Sequence, residues 1–341
     1  METRFNVCDL NAIETRVGAW LAGCPDLLNV FTPCTAPDGT WCPNGKDPYL
    51  DFGGKMHGIP YDSLWLRYNS KDEFIKAAAK AIRQMAKPGV LGAIYRLGGG
   101  NWAVINGDRV RTGLWGYAWN MGIELTQEQA HMIVRMFREA YPEICSNEND
   151  GFGAPIGVWK RLEMASQEVV KATQTKRSVG PNGCVLIDKI NYTLSGRNGS
   201  LMRMQLPSGR RLHYMNARME VCQMPWEDRE TGEPAFKEAL CYDGQNQKTG
   251  QWSQITTHGG KLFENLVQAI ARDVLAVKLL EFEAADMPVV GHVHDEGICL
   301  VPNDIISPRV EDMVEIMSRP ISWAPGLLLG ADGFEDSYYH K

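Results

Sequence analysis

Two acid-bearing stretches at opposite ends of the chain constrain the fold more than any other feature: DLNAIETR at 9–16 and HVHDE at 292–296. Each sets an aspartate at the end of a short apolar run, where a strand hands over to a helix or a turn. A fold that brings Asp9 and Asp295 together must carry the C-terminal part of the chain back to the N-terminal strand. Two hard cations held by carboxylates about 3.5–4 Å apart can stabilise both the attacking and the leaving oxygen of an in-line displacement. The chemistry to which such a meeting points is phosphoryl transfer.

At 341 residues and 44% apolar composition, the chain can bury a substantial core, and its length suggests about two domains. No apolar run reaches about 18 residues, and the N-terminus lacks the basic-then-apolar order of a signal peptide. A soluble, cytoplasmic protein is expected. The nine cysteines are odd in number and scattered without a Cys-x2-Cys pair, which reads as reduced thiols. Cys24, Cys34 and Cys42 share a Pro/Gly-rich loop, but no histidine or second pair completes a zinc ligand set there.

The net charge of −6 averages over a strong asymmetry. Residues 151–220 carry eleven Lys/Arg against four acids, whereas 281–341 carry three against twelve. This reads either as two solvated faces or as a basic nucleic-acid track joined to an acidic, metal-bearing base.

Along the chain, 5–10 reads as a buried strand, and Ile13, Val17, Trp20 and Leu21 recur at helical spacing. Helices are expected at 49–57 and 70–82. Pro88-Gly89 would break the second, with a new helix over 87–95 ended by Gly98-Gly99-Gly100. In that helix Lys87, Leu91 and Tyr95 share a face, with Arg83 just before it. Thr126 and Gln129 open a helix to about 142, Pro207-Ser208-Gly209 turns a hairpin within 195–218, and 225–250 reads as an acidic surface loop. The longest helix signal covers 261–283. A strand–turn–strand over 287–301 presents His294-Asp295-Glu296, and a last amphipathic helix covers 307–318.

In this order the stretches resemble the family A DNA polymerases, the bacterial DNA polymerase I and phage replicative class. DLNAIETRV looks like motif A, RQMAKPGVLGAIY (83–95) like motif B and HVHDE like motif C, supported by FREAYPEI, LPSGRRLHY and THGGKLFENLVQAIARD. The resemblance spans nearly the whole chain. It implies an α+β right-hand fold, with palm at 1–23 and 256–341 and mainly helical fingers at 24–255, enlarged by an insertion at about 151–250. Thumb and proofreading exonuclease would be absent from this chain, so the resemblance also implies a separate N-terminal polymerase chain as partner, or a truncated product. The setting would be the cytoplasm of a phage-infected or prophage-bearing bacterium, with no membrane role.

By the same resemblance, Asp9 and Asp295, with the Leu10 carbonyl and supporting Glu296, hold two Mg²⁺ ions, for which Mn²⁺ can substitute. Arg83 and Lys87 grip the incoming dNTP, and Lys87 passes a proton to the departing pyrophosphate. Tyr95 meets Glu14, and this carboxylate-backed wall refuses a 2′-hydroxyl. Arg16, Asn265, Gln268, Arg272 and His294 contact primer–template DNA. Leu91 departs from the family, whose better-known members place Phe or Tyr there, and this predicts poor tolerance of a missing 3′-hydroxyl.

Two other readings compete. His292-x-His294 could place two imidazoles on one side of a strand in a metal hydrolase, but Asp295 would then face away and no other histidine cluster is evident. Alternatively, the chain is a non-catalytic fragment that binds primer–template without extending it.

Overall fold

The computed structural model describes residues 2–105, 107–147, 156–172, 175–194, 197–227, 231–246 and 249–340. The chain divides into two units, Met1–Ile144 with Val267–Lys341, and Cys145–Leu266. The class is α+β, and every paired strand is antiparallel to its neighbour.

In the first unit a four-stranded sheet runs in the order Val289–Val293, Glu296–Pro302, Thr3–Leu10, Ala331–Asp336. The N-terminal strand lies inside the sheet because both of its faces are buried. Val7, Cys8 and Leu10 enter the core, while the equally buried Arg4 and Asn6 donate to the carbonyls of Pro302 and Pro308 at 3.0 Å each. Helix Val310–Ser318 packs on Thr3–Leu10 and Ala331–Asp336. Beyond Leu10 the chain turns through Ala12 and continues as helix Ile13–Ala22.

The helices Pro48–His57, Tyr61–Tyr68, Glu73–Pro88, Gly113–Asn120 and Gln127–Ala140 belong to this unit's α-helical part. Thr126 and Gln129 cap the last of these reciprocally, so the expected start is the observed one. Phe52, Phe137 and Tyr141 pack together inside it, Phe137 edge-on to both neighbours.

The expected break at Pro88-Gly89 does not occur. The helix continues through Pro88 into a π-helical turn, Gly89–Ala93. Gly89 serves close packing here: a Cβ on it would lie 2.6 Å from the Ile133 methyl and 2.9 Å from the Phe52 ring. The helices at Tyr61–Tyr68 and Gly113–Asn120 and the strand Ala331–Asp336 were not foreseen from sequence.

The second unit is a six-stranded sheet in the order Trp252–Thr257, Pro234–Gln245, Arg211–Glu227, Arg197–Gln205, Val185–Leu194, Arg177–Val179, with helix Val158–Lys171 packed on it. Gln205 pairs with Arg211 around the expected Pro207-Ser208-Gly209 turn. The expected loop at 225–250 is corrected: Pro234–Gln245 is a strand paired on both edges. Much of that strand is exposed, so its polar residues are compatible with pairing. The insertion's expected first residue, Gly151, lies outside the described residues, and Gly250 falls in the turn between two paired strands.

Several cations of the basic segment are occupied within this unit. Arg203 pairs with Asp188 at 2.6 Å, Arg218 with Asp243 and Glu220 at 2.9 Å, Lys171 with Glu238 at 2.8 Å, and Arg177 with Glu168. Among the described residues no helix is long and apolar enough to cross a membrane.

Replacing Gly89 by alanine gains helix propensity but forces Ile133 and Phe52 to move. A net loss of about 1–2 kcal/mol is expected. It should be measured by urea unfolding, where a variant as stable as the parent would show that this packing yields freely.

Candidate active site

The sheet register assembles the site. Asp9 is directly opposite Glu296 on one side and Asp332 on the other, so three carboxylate residues form a row across three strands. Asp295 stands at the end of that row, in a two-residue hairpin turn closed by Val293 and Glu296. The Leu10 amide donates to the Asp295 carbonyl at 3.1 Å, tying the end of the N-terminal strand to the turn. His294 (φ 51°) and Ala12 (φ 48°) are both left-handed. Non-glycine residues there cost about 1–2 kcal/mol each, and such strain clusters where a site needs a particular backbone path.

Like charges opposite one another across a ladder repel. The buried Cys8 thiol registers their combined field: burial first, then Asp9, Asp332, Cys299 and Glu296, push its pKa far up. Neutral donors hold two members of the row. Tyr339 donates to Glu296 at 2.9 Å, while Asn11 and Asn44 donate to the two oxygens of Asp332 at 2.9 and 3.2 Å. Asp332 was missed from sequence, because ADGFED has little of the composition of a strand.

A cavity of about 370 Å³ opens beside the hairpin turn, lined by Ile13, Glu14, Gln268, Ala271, Arg272, His294 and Asp295. Gln268 and Arg272 are exposed on one side of the helix Gly259–Ala284, one turn apart. Tyr95 donates its hydroxyl proton to Glu14 at 2.8 Å, bringing the end of the π-helical turn against the helix that follows Asp9.

A second cavity of about 340 Å³ includes Asn11, Lys46, Tyr49, Arg83 and Asp332 in its wall. Arg83 is clamped in it by Asp47, whose Oδ2 accepts from Nε at 2.9 Å and Nη2 at 2.8 Å. The same guanidinium lies over the Tyr49 ring, 5.0 Å from its centroid. Burial, with the Asp47 charge next, pushes the Tyr49 phenol up to about 12. Lys87, one turn on, reaches the same ring at 6.0 Å. Leu91 lies half-buried in the π-helical turn.

Two expected DNA contacts are otherwise engaged. Arg16 is 1% exposed and donates to the carbonyls of Asn11 (2.7 Å), Leu328 (3.2 Å) and Asn44 (2.7 Å), with Phe31 stacked at 4.3 Å. Burial lowers its pKa to about 10, which still leaves it cationic at neutrality. It is therefore an internal tie between three segments. Asn265, in the second unit, donates to the Tyr214 hydroxyl at 3.1 Å.

Among the described residues, no three or more His, Cys, Asp or Glu side chains are grouped to hold a metal by themselves. Cys34 and Cys42 face each other across a short hairpin as free thiols, and Cys24 is buried. A magnesium site needs less from the protein, since one or two carboxylates completed by water and substrate phosphates suffice. Asp9 and Asp295, brought close by the Leu10 amide bond to the Asp295 carbonyl, are the two carboxylates that such a site would draw on.

Over 338 residues, 99% of its length, the chain is 33% identical to the DNA polymerase of Bacillus phage SP02, of which it spans 41%. Among solved structures it is similar to the POL domain of Pol1 from M. smegmatis in complex with DNA primer-template and dNTP. That likeness has a TM-score of 0.48 and 13% identity, and covers 98% of this chain and 40% of that one. No protein-family model matches. The chain is thus related, along essentially its whole length, to part of a phage DNA polymerase.

Asp47 divides its carboxylate between two tasks, since Oδ1 caps helix Pro48–His57 through the Tyr49 and Leu50 amides at 2.8 Å each. Asp47→Ala loses cap and ion pair together and should cost about 2 kcal/mol. Asp47→Asn keeps the cap and should cost about 1 kcal/mol or less. Equal losses in urea titrations would contradict this division.

Proposed function

We propose that this chain carries the catalytic centre of a template-directed DNA polymerase of family A, adding deoxynucleotides to a primer 3′-hydroxyl. The observation that carries this reading is the union of Asp9 and Asp295 at adjoining strand ends, through the Leu10 amide. Relatedness to a phage DNA polymerase over 99% of the chain supports it independently of geometry. In this reading the four-stranded sheet is the palm, and the helix bearing Arg83 and Lys87 belongs to the fingers.

Asp9, Asp295 and the Leu10 carbonyl would hold Mg²⁺, with Glu296 in support. Bound there, the metal would lower the pKa of the primer hydroxyl and offset charge on the triphosphate. The chain's own groups do the rest. Arg83 and Lys87 present cationic donors for phosphate oxygens, and Lys87 is the group assigned to protonate the departing pyrophosphate. Glu14, buttressed by Tyr95, forms the wall that leaves no room for a ribose 2′-hydroxyl. Gln268, Arg272 and His294, which line the cavity with Asp295, would contact primer–template DNA, His294 at the primer terminus.

Because the chain spans 41% of its relative, the assay needs both the isolated chain and the chain with the product of any adjacent upstream gene. Primer extension with Mg²⁺ and dNTPs should fall by about 10³-fold in Asp295→Ala. DNA binding without extension in every combination would leave only the binding-fragment reading.

Glu14→Ala should relax discrimination against ribonucleotides by about tenfold or more, read as the ratio of kcat/KM values. With Leu91 supplying only apolar contact, dideoxynucleotides should enter at least about tenfold less efficiently than deoxynucleotides. Equal incorporation would count against that role for Leu91.

A further inference from the structure

The hairpin that follows Tyr95 pairs Trp102–Ile105 with Asp108–Arg111. Trp102 is opposite Arg111 and Val104 opposite Arg109, so all four side chains project from one face. Helix Gly113–Asn120 follows immediately, with Trp115 and Trp119 one turn apart on a shared side. The Arg109 guanidinium lies 4.4 Å from the centroid of the Trp102 ring. Arg111 stands among three indoles, at 3.9 Å from Trp119, 4.8 Å from Trp115 and 5.7 Å from Trp102. Trp102 and Trp115 meet edge to face at 4.9 Å.

Core packing accounts for part of this cluster only. Trp115 is buried, with its indole N–H donating to the Leu125 carbonyl at 2.9 Å. By contrast, Trp102 is 44%, Trp119 51% and Val104 74% exposed. Indole rings interleaved with guanidinium groups on one open face are the composition of a single-strand platform, in which bases stack on rings and phosphates meet cations. The helix that carries Trp115 and Trp119 packs by its other side on the π-helical turn. Gly92, in the π-helical turn, is so close to the helix that a Cβ there would lie 3.0 Å from Leu114 and 3.2 Å from Tyr117. Tyr117 itself has its phenol pushed up by burial and then by the charge of Glu14.

We propose that Trp102, Trp119, Arg109 and Arg111 form a stacking site for single-stranded DNA, which receives the unpaired template strand ahead of the base being copied. The identity of the strand rests on the polymerase reading; the single-strand chemistry of the site does not.

The test uses the full chain and two fluorescent primer–templates, with template overhangs of ten and two nucleotides. The parent should prefer the longer overhang, and Trp102→Ala/Trp119→Ala should shrink that preference about tenfold. Trp102→Tyr/Trp119→Tyr, which keeps rings at both positions, should restore most of it. Val104→Glu, a change at an exposed position that adds a repelling charge, should shrink it as well. 2-Aminopurine placed in the long overhang should be quenched by the parent and by the tyrosine variant, and remain bright with the alanine variant. Arg109→Gln should make the log–log salt dependence shallower by about 0.7.

An overhang preference that the alanine and glutamate variants leave intact would overturn the platform, even if Asp295→Ala still abolishes extension. Tryptophan-dependent quenching in a chain that never extends a primer would uphold the platform while removing the polymerase reading.

Discussion

The structure depends on placing the N-terminal strand inside its sheet. Thr3–Leu10 is paired on both edges, by Glu296–Pro302 and by Ala331–Asp336, so segments from the two ends of the sequence must meet before its backbone donors and acceptors are satisfied. With both faces buried, a one-residue slip would carry Val7 to the face of Arg4, Asn6, Cys8 and Leu10 and break the bonds of Arg4 and Asn6 to Pro302 and Pro308, which makes the pairing register-specific. Folding and assembly of the acid row are therefore one event. Whatever stabilises this strand also fixes where Asp9 stands relative to Asp295.

The acid row opposes that event. Three carboxylate residues side by side raise the energy of the native sheet, and the Cys8 thiol beside them is pushed up first by burial and then by their charge. The chain offsets it with neutral donors: Tyr339 for Glu296, and two asparagines for Asp332. Arg16 feels the charge of Asp332 but spends its hydrogen bonds on backbone carbonyls, and Arg83 spends its bonds on Asp47.

What could be read from sequence follows from which signals are local. The strand before Asp9, the capping box at Thr126 and the hairpin around His294-Asp295 are each written in a few adjacent residues, and each appears where its pattern places it. Asp332 was invisible because its strand is short, polar at several positions and defined only by its partner. The strand within 225–250 failed for a related reason, because alternation is weak where much of a strand is exposed. Arg16 shows a different limit: nothing in DLNAIETR distinguishes an arginine bonded to internal carbonyls from one reaching toward solvent. That distinction belongs to segments near Asn44 and Leu328, far away in sequence.

The π-helical turn at Gly89–Ala93 joins the basic helix to the acid row. Pro88 has no N–H to donate to the preceding turn, which removes one of the bonds that would hold the backbone to α-helical winding. A π turn accommodates an extra residue, so residues beyond it rotate away from the stripe they would occupy in a continuous α-helix. Lys87, before the turn, stays beside Arg83 over the Tyr49 ring. Tyr95, after it, is released from that stripe and reaches Glu14. A regular helix would hold Lys87, Leu91 and Tyr95 on a single face. The widened turn instead lets one helix hold Arg83 and Lys87 over the Tyr49 ring and carry a phenol to Glu14 in the wall of the other cavity, which links the two cations mechanically to that carboxylate.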